Sequence, residues 1–265
     1  MEQVFGFSII SLVITGILLV PFIDFLYKIK LQKGENHRDV FNKKIRFFDK
    51  LSSWKVGTPI GGGLLIIFVV TFLTLWAYGL LSVKVKFWEL FVLLATFIGF
   101  GVLGFYDDVR KTFNINAGVF GLKPVHKFII QWVLALIIGA IMYFQLGYSF
   151  VFVHWFGQVT LGIFYILFAA FTIVSFTNAV NISDGLDGLA TGLLIICLVA
   201  FLAISGSTLD SFLSVFIATL LGSATAFLYF NIYKARLWLG DVGALSLGAV
   251  LAVIGLLTGK PISVA

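Results

Sequence analysis

LGIFYILFAAFTIVSFTNAVNISDGLDGLATGLLIICLVAFLAIS, residues 161–205, sets two long apolar runs on either side of a short polar hinge. Each run approaches the roughly 20 mostly apolar residues that a helix needs to cross a hydrocarbon core. The hinge carries Asn178, Asn181, Asp184 and Asp187 at every third position, with Gly185, Gly188 and Gly192 among and after them. That period suits a tight turn or a helix start showing one polar face. The glycines let a ligand approach the backbone closely. Turn chemistry alone enriches loops in Asn, Asp and Gly. A carboxylate at membrane depth or its edge is costly unless it binds something, so the strict spacing beside two spans favours a site.

The rest of the chain repeats this pattern. Apolar runs lie at about 4–27, 57–81, 87–106, 128–146, 158–178, 189–205, 209–230 and 243–259. The 265 residues are 60% hydrophobic and 11% charged, with mean hydropathy +1.10, whereas a soluble domain is about one-quarter charged. Lipid offers no partner for open backbone groups, so every span is expected to be helical. The predicted class is all-α: a polytopic integral membrane bundle of about eight transmembrane helices, one membrane-embedded domain over 1–265. The run at 4–23 lacks a basic leader and a small-residue cleavage site, and reads as a retained first span. Cys197 lies inside an apolar run and, being alone, forms no intrachain disulfide.

Basic residues set the orientation, because they accumulate in cytoplasmic loops. Lys28, Lys30, Lys33, Arg38, Lys43, Lys44, Arg46, Lys50 and Lys55 follow the first span; Arg110, Lys111, Lys123 and Lys127 follow the third; Lys234 and Arg236 precede the eighth. Of the 18 basic residues only Lys84, Lys86 and Lys260 fall opposite. The predicted N-terminus is outside, and all five aspartates of the apolar-run ends lie on the cytoplasmic face.

Those aspartates form three clusters. GFYDDVRK, 104–111, ends the third span with Asp107 and Asp108. Adjacent carboxylates cannot share a helix face, so they address different partners. One can carry a proton while the other helps hold a cation; alone, the pair reads as an interfacial anchor. The hinge supplies Asp184 and Asp187. Asp241, in NIYKARLWLGDVGALSLGA (231–249), reads equally as an N-cap or as a metal ligand at a helix start. Lys55 leads through Gly57-Thr58-Pro59 into Gly61-Gly62-Gly63, either a phosphate-holding entry or a turn with close-packing residues.

Together, KVGTPIGGG (55–63), GFYDDVRK (104–111), GLKPVHKFIIQ (121–131), NAVNISDGLDGLATG (178–192) and Asn231 ahead of GDVGALSLG (240–248) resemble the polyprenyl-phosphate N-acetylhexosamine-1-phosphate transferase superfamily, glycosyltransferase family 4. The nearest resemblance is to its phospho-N-acetylmuramoyl-pentapeptide transferase branch. The resemblance implies a Mg²⁺-dependent transfer on the cytoplasmic face of a bacterial inner membrane. Phospho-MurNAc-pentapeptide moves from its UDP-sugar to undecaprenyl phosphate, giving lipid I and UMP, in peptidoglycan synthesis. It further implies that Asp107 deprotonates the lipid phosphate or attacks as nucleophile, supported by Asp108. Asp241 is then the main metal ligand, with Asp184 nearby as a catalytic or metal-binding acid. Gly185, Leu186, Asp187 and Asn231 form the nucleotide pocket, Lys55, Lys111 and Lys127 neutralise phosphates, and Asn181 positions the pyrophosphate. A homodimer is compatible with this assignment, and no nucleic acid is expected among the partners.

The chain departs from the family pattern at Ile60, where a second threonine is expected, at Lys234 in place of proline, and at Ala244 in place of serine. The family also continues through further helix to a cytoplasmic histidine loop, whereas this sequence ends at Ala265, and His37, His126 and His154 lie outside that context. The expectation is a short form that binds nucleotide and lipid phosphate but transfers weakly. The competing readings are a GlcNAc-1-phosphate transferase acting on the same lipid, an ion- or proton-coupled transporter, and a catalytically incomplete fragment. A transporter would show acids near mid-span or on both sides, with repeated halves, whereas here the acids crowd one face and no convincing repeat is seen.

Overall fold

The computed structural model describes residues 2–32, 57–80, 87–113, 122–153, 157–207 and 211–264. Among the described residues eight long helices follow one another: α1 (Glu2–Lys28), α2 (Gly62–Leu80), α3 (Phe87–Phe113), α4 (Pro124–Phe144), α5 (Tyr165–Ser183), α6 (Leu189–Ser207), α7 (Ser211–Asn231) and α8 (Gly240–Val264). All eight contain a stretch long and apolar enough to cross a membrane. The chain is therefore an all-α multi-pass membrane protein, as its composition predicts. Two expectations of extent change. Helix α3 runs on to Phe113, so Asp107, Asp108 and Lys111 lie within it and not beyond its end. Residues 150–153 and 157–160, partly assigned to the fifth span, form a small antiparallel hairpin, β1–β2, before α5.

Helix α8 is the axis of the bundle. Helices α2, α3, α5 and α6 all pack on it, and glycines make these approaches possible. A Cβ at Gly63 of α2 would lie 2.1 Å from the Cα of Gly243, and one at Gly104 of α3 would lie 2.2 Å from the Asp241 carbonyl oxygen. Gly248 admits the backbone of Phe176 and Thr177 from α5 in the same way. Apolar side chains gain little by leaving lipid for protein. Close backbone approach at small residues, with the dispersion it allows, is what joins such helices.

On the far side, α1 lies along α7. Gly222 faces the Ser8 carbonyl, Ser11 Oγ donates to the Thr219 carbonyl at 2.6 Å, and the Thr15 and Ser223 hydroxyls share a hydrogen bond of 2.8 Å. Residues 59–63 run beside 238–239: Gly62 and Gly63 donate to the Trp238 and Leu239 carbonyls, and Trp238 donates to Pro59. The glycine-rich entry to α2 therefore lies against the lead-in to α8.

Candidate functional site

The site begins with helix geometry. Asp107 and Lys111 are four residues apart on α3, hence on one face, and their Oδ2 and Nζ are 2.9 Å apart. Helix α4 starts at Pro124, a residue suited to a first helical turn, which places Lys127 within one turn of its start. Lys127 Nζ reaches Asp107 Oδ2 at 3.0 Å. Both lysines also contact Asp241 Oδ2: Lys111 at 2.7 Å, and Lys127 closer still. The result is a closed ring of alternating charge, Asp107–Lys111–Asp241–Lys127, contributed by α3, α4 and α8. Asp107 is almost fully enclosed, and its Oδ1 accepts the Leu122 backbone N–H at 2.7 Å. That bond pins the segment leading into α4 to α3.

Asp108 points elsewhere. Its Oδ1 accepts from the Asp241 backbone N–H at 3.1 Å and its Oδ2 from Val242 N–H at 3.0 Å. These are orphan donors of the first turn of α8, which no residue of that helix can satisfy. A carboxylate there also meets the positive end of the helix dipole. Asp241 is thus not the cap of its helix; Asp108, from α3, performs that task. Gly240, at φ 76°, completes the joint, because a Cβ there would sit 2.7 Å from Asp108 Oδ2 and 2.9 Å from the Gly61 nitrogen.

The hinge cluster forms a second group at the same end. Asn178 and Asn181 fall in the last turns of α5, which ends at Ser183, and 184–188 turn into α6 through Gly188 at φ 71°. Asn231, 1% exposed, accepts the Gly188 N–H at 3.1 Å and donates to the Leu237 carbonyl at 3.0 Å. Asp187 Oδ2 accepts Ala235 N–H at 3.3 Å. The hinge is therefore tied to the 232–238 segment that runs into Gly240 and Asp241. Gly185 and Leu186 are exposed at its tip, and Asn181 and Asp184 are half-buried.

The structure thus gathers Asp107, Asp108, Lys111, Lys127 and Asp241 directly, and links Gly185, Leu186, Asp187 and Asn231 to them through one short segment. Lys55, His37 and His154 lie outside the described residues; His126 is exposed at the start of α4. Among the described residues no three His, Cys, Asp or Glu side chains come together as a metal cage. Sequence reasoning left Gln131 without a role. It is 1% exposed, and its Oε1 accepts from Asn178 Nδ2 at 2.8 Å. The available signal was its place four residues after Lys127.

The sequence signature of glycosyl transferase family 4 matches residues 90–259. Among similar proteins, a phospho-N-acetylmuramoyl-pentapeptide-transferase of Caldanaerobacter subterraneus subsp. tengcongensis is 37% identical over 210 residues, 78% of this chain and 63% of that protein. One of Clostridium perfringens is 34% identical over 255 residues, 96% of this chain and 75% of that protein. One of Bacillus pumilus is 34% identical over 262 residues, 97% of this chain and 76% of that protein.

Proposed function

The chain belongs to glycosyl transferase family 4, in its phospho-N-acetylmuramoyl-pentapeptide transferase branch, and from that premise we propose that it catalyses the reaction named for those relatives. The sugar-bearing phosphate of UDP-MurNAc-pentapeptide passes to undecaprenyl phosphate. A lipid phosphate oxygen bonds to the sugar-linked phosphorus while the bond from that phosphorus to the bridging oxygen breaks, and UMP leaves. The observation that carries this reading is the ring of Asp107, Lys111, Asp241 and Lys127, which offers two cations and two carboxylates at one end of a membrane bundle. With the basic-residue asymmetry, that end is the cytoplasmic face of the inner membrane.

Enzymes of this family depend on a divalent metal. We assign Mg²⁺, held by Asp241 with Asp184 as the second acid. Carboxylate oxygens are hard donors, and Mg²⁺ typically takes one or two of them and completes its shell with water and substrate phosphates, so a full protein cage is not required. When bound, it supplies charge neutralisation at the pyrophosphate.

The chain's own residues do the rest. Lys111, whose side chain is 41% exposed, is the outer cation of the ring and the first available to an incoming phosphate. Lys127, at 13%, is the inner one. As phosphate draws the lysines, Asp107 is released to accept the lipid phosphate proton or to attack. Asp108 acts as a positioning residue, holding the α8 start and with it Asp241. The exposed Gly185 and Leu186 line the nucleotide side with Asp187, Asn231 shapes that turn from beneath, and Asn181 orients the pyrophosphate. Lys55 is assigned to the phosphates as well.

The test is UMP release and lipid-product formation by the full chain in nanodiscs, with Mg²⁺, undecaprenyl phosphate and either UDP-MurNAc-pentapeptide or UDP-GlcNAc. Transfer from the muramoyl donor alone supports the proposal. Transfer from UDP-GlcNAc alone, or from neither donor, refutes it.

A further inference from the structure

Helices α4 and α5 meet at one polar contact inside the apolar bundle. Gln131 lies one turn beyond Lys127 on α4, and Asn178 lies one turn before Asn181 on α5. The two helices run in opposite directions, so both residues sit one turn membrane-ward of a residue already placed in the site. Asn178 spends its amide hydrogens on Gln131 Oε1 and on the Val174 carbonyl, both at 2.8 Å. This fixes the Gln131 amide with its oxygen toward α5 and its nitrogen away from it. No described residue accepts from that nitrogen, although the side chain is 1% exposed.

An enclosed amide nitrogen with two hydrogens and no acceptor among the described residues is a costly feature, because such groups are nearly always paired. Helical side chains lean toward the N-terminus of their helix. The Gln131 amide therefore reaches back toward the turn of Lys127, at the cytoplasmic end, and not deeper into the apolar core. Four residues of helix rise put its backbone roughly 6 Å below that of Lys127. The missing partner is an acceptor that arrives at this floor.

We propose that Gln131 is a binding residue for the phosphate headgroup of the polyprenyl phosphate, forming with Asn178 the membrane-side floor of that subsite. The inference rests on the transferase reading. Two substrates bring phosphate oxygens to the ring, one from water and one from the bilayer. A donor on the membrane side of Lys127 is met by the headgroup that enters from the lipid, whereas the nucleotide sugar is met by the exposed hinge tip at Gly185 and Leu186. A neutral donor also suits this level, because the charges of the ring above it already balance. Asn178 acts through Gln131 as a positioning residue.

The experiment is a binding titration of the full chain in detergent with a short-chain polyprenyl phosphate and, separately, with UDP, alongside transfer assays. Gln131→Glu keeps an oxygen for Asn178 and removes both donors, while Gln131→Met removes the whole polar group. Both are expected to weaken polyprenyl phosphate binding by about tenfold, the scale of one hydrogen bond to a charged group, and to leave UDP binding unchanged. Asn178→Ala frees the amide without deleting it and is expected to have a smaller effect on the same ligand. Unchanged polyprenyl phosphate affinity in Gln131→Glu, or an equal loss for both ligands in both Gln131 variants, overturns the assignment and leaves Gln131 a structural brace. The reaction can fail separately: a wild type that binds polyprenyl phosphate through Gln131 yet transfers nothing refutes the transferase reading alone. A wild type that transfers with Gln131-independent lipid affinity refutes this one alone, and one that binds no polyprenyl phosphate removes both.

Discussion

Helices α8 and α1 invert the rule that the most apolar segment lies deepest. The α1 span has mean hydropathy 2.5 and is 22% buried, whereas the α8 span has 2.1 and is 83% buried. In lipid, apolar surface has no reason to hide, so hydropathy marks a span without ranking its depth. What distinguishes α8 is shape. Gly243 and Gly248 let neighbouring backbones touch it on separate faces, while Gly6 and Gly16 of α1 have nothing within 4 Å of where a Cβ would be. The same packing fixes the site, because α8 begins with Gly240 and Asp241 at the point where α2 and α3 press against it. Burial and the proposed site share one helix end.

The contrast breaks most visibly if the seam is blocked. Gly63→Val or Gly104→Val would force β-carbons into the α8 backbone. The expected destabilisation is at or above about 3 kcal/mol, the upper part of the usual overpacking range, read as loss of the monodisperse folded peak in detergent. Gly16→Val on α1 should stay within about 0.5 kcal/mol, as lipid-facing changes do. Comparable losses in all three would mean that the α8 seam is not special.

A smaller effect concerns the two cations flanking the start of α8. Lys127→Met removes the more enclosed lysine and is expected to lower kcat/KM by about a hundredfold, the scale of losing one member of a buried ion pair. Lys111→Met, at the more solvated position, should cost about tenfold, since exposure weakens ion pairs. Steady-state transfer kinetics would show the order, and the reverse order would contradict the inner and outer assignment. The least effect is expected at the peripheral seam. Thr15→Val removes one interhelical hydrogen bond and should cost about 0.6 kcal/mol, measured as a small drop in melting midpoint with unchanged turnover.

Much of this was readable in the sequence. Apolar runs mark spans because the bilayer demands length and composition, and the acids at their ends mark a candidate site because a carboxylate at the membrane edge is costly. Helix α3 ran past the expected end because its last turns are polar on a face that pairs with α4 and α8, which hydropathy averages away. The pairing of 150–153 with 157–160 was hidden because residues 158–160 run directly into the apolar stretch of the fifth span. Asp108 as the cap of a helix more than 130 residues downstream, and Gln131 as an enclosed donor, depend on tertiary neighbours that no local pattern encodes. Gly240 was visible as a glycine, but its need for a positive φ beside Asp108 was not.

Asp107 and Asp108 are chain neighbours with separate tasks, and a paired measurement on Asp107→Asn and Asp108→Asn tests that claim most directly: transfer rate, UDP binding and melting midpoint on the same preparations. Asp107→Asn is expected to lose transfer by at least about a thousandfold while UDP still binds, since the chemical step and not the fold depends on it. Asp108→Asn should lower the midpoint by about 3–6 °C, the scale of losing a helix cap of about 1–2 kcal/mol, while keeping a measurable part of its turnover. If the two variants instead lose turnover equally with unchanged midpoints, the division between a reacting acid and a helix-positioning acid is contradicted.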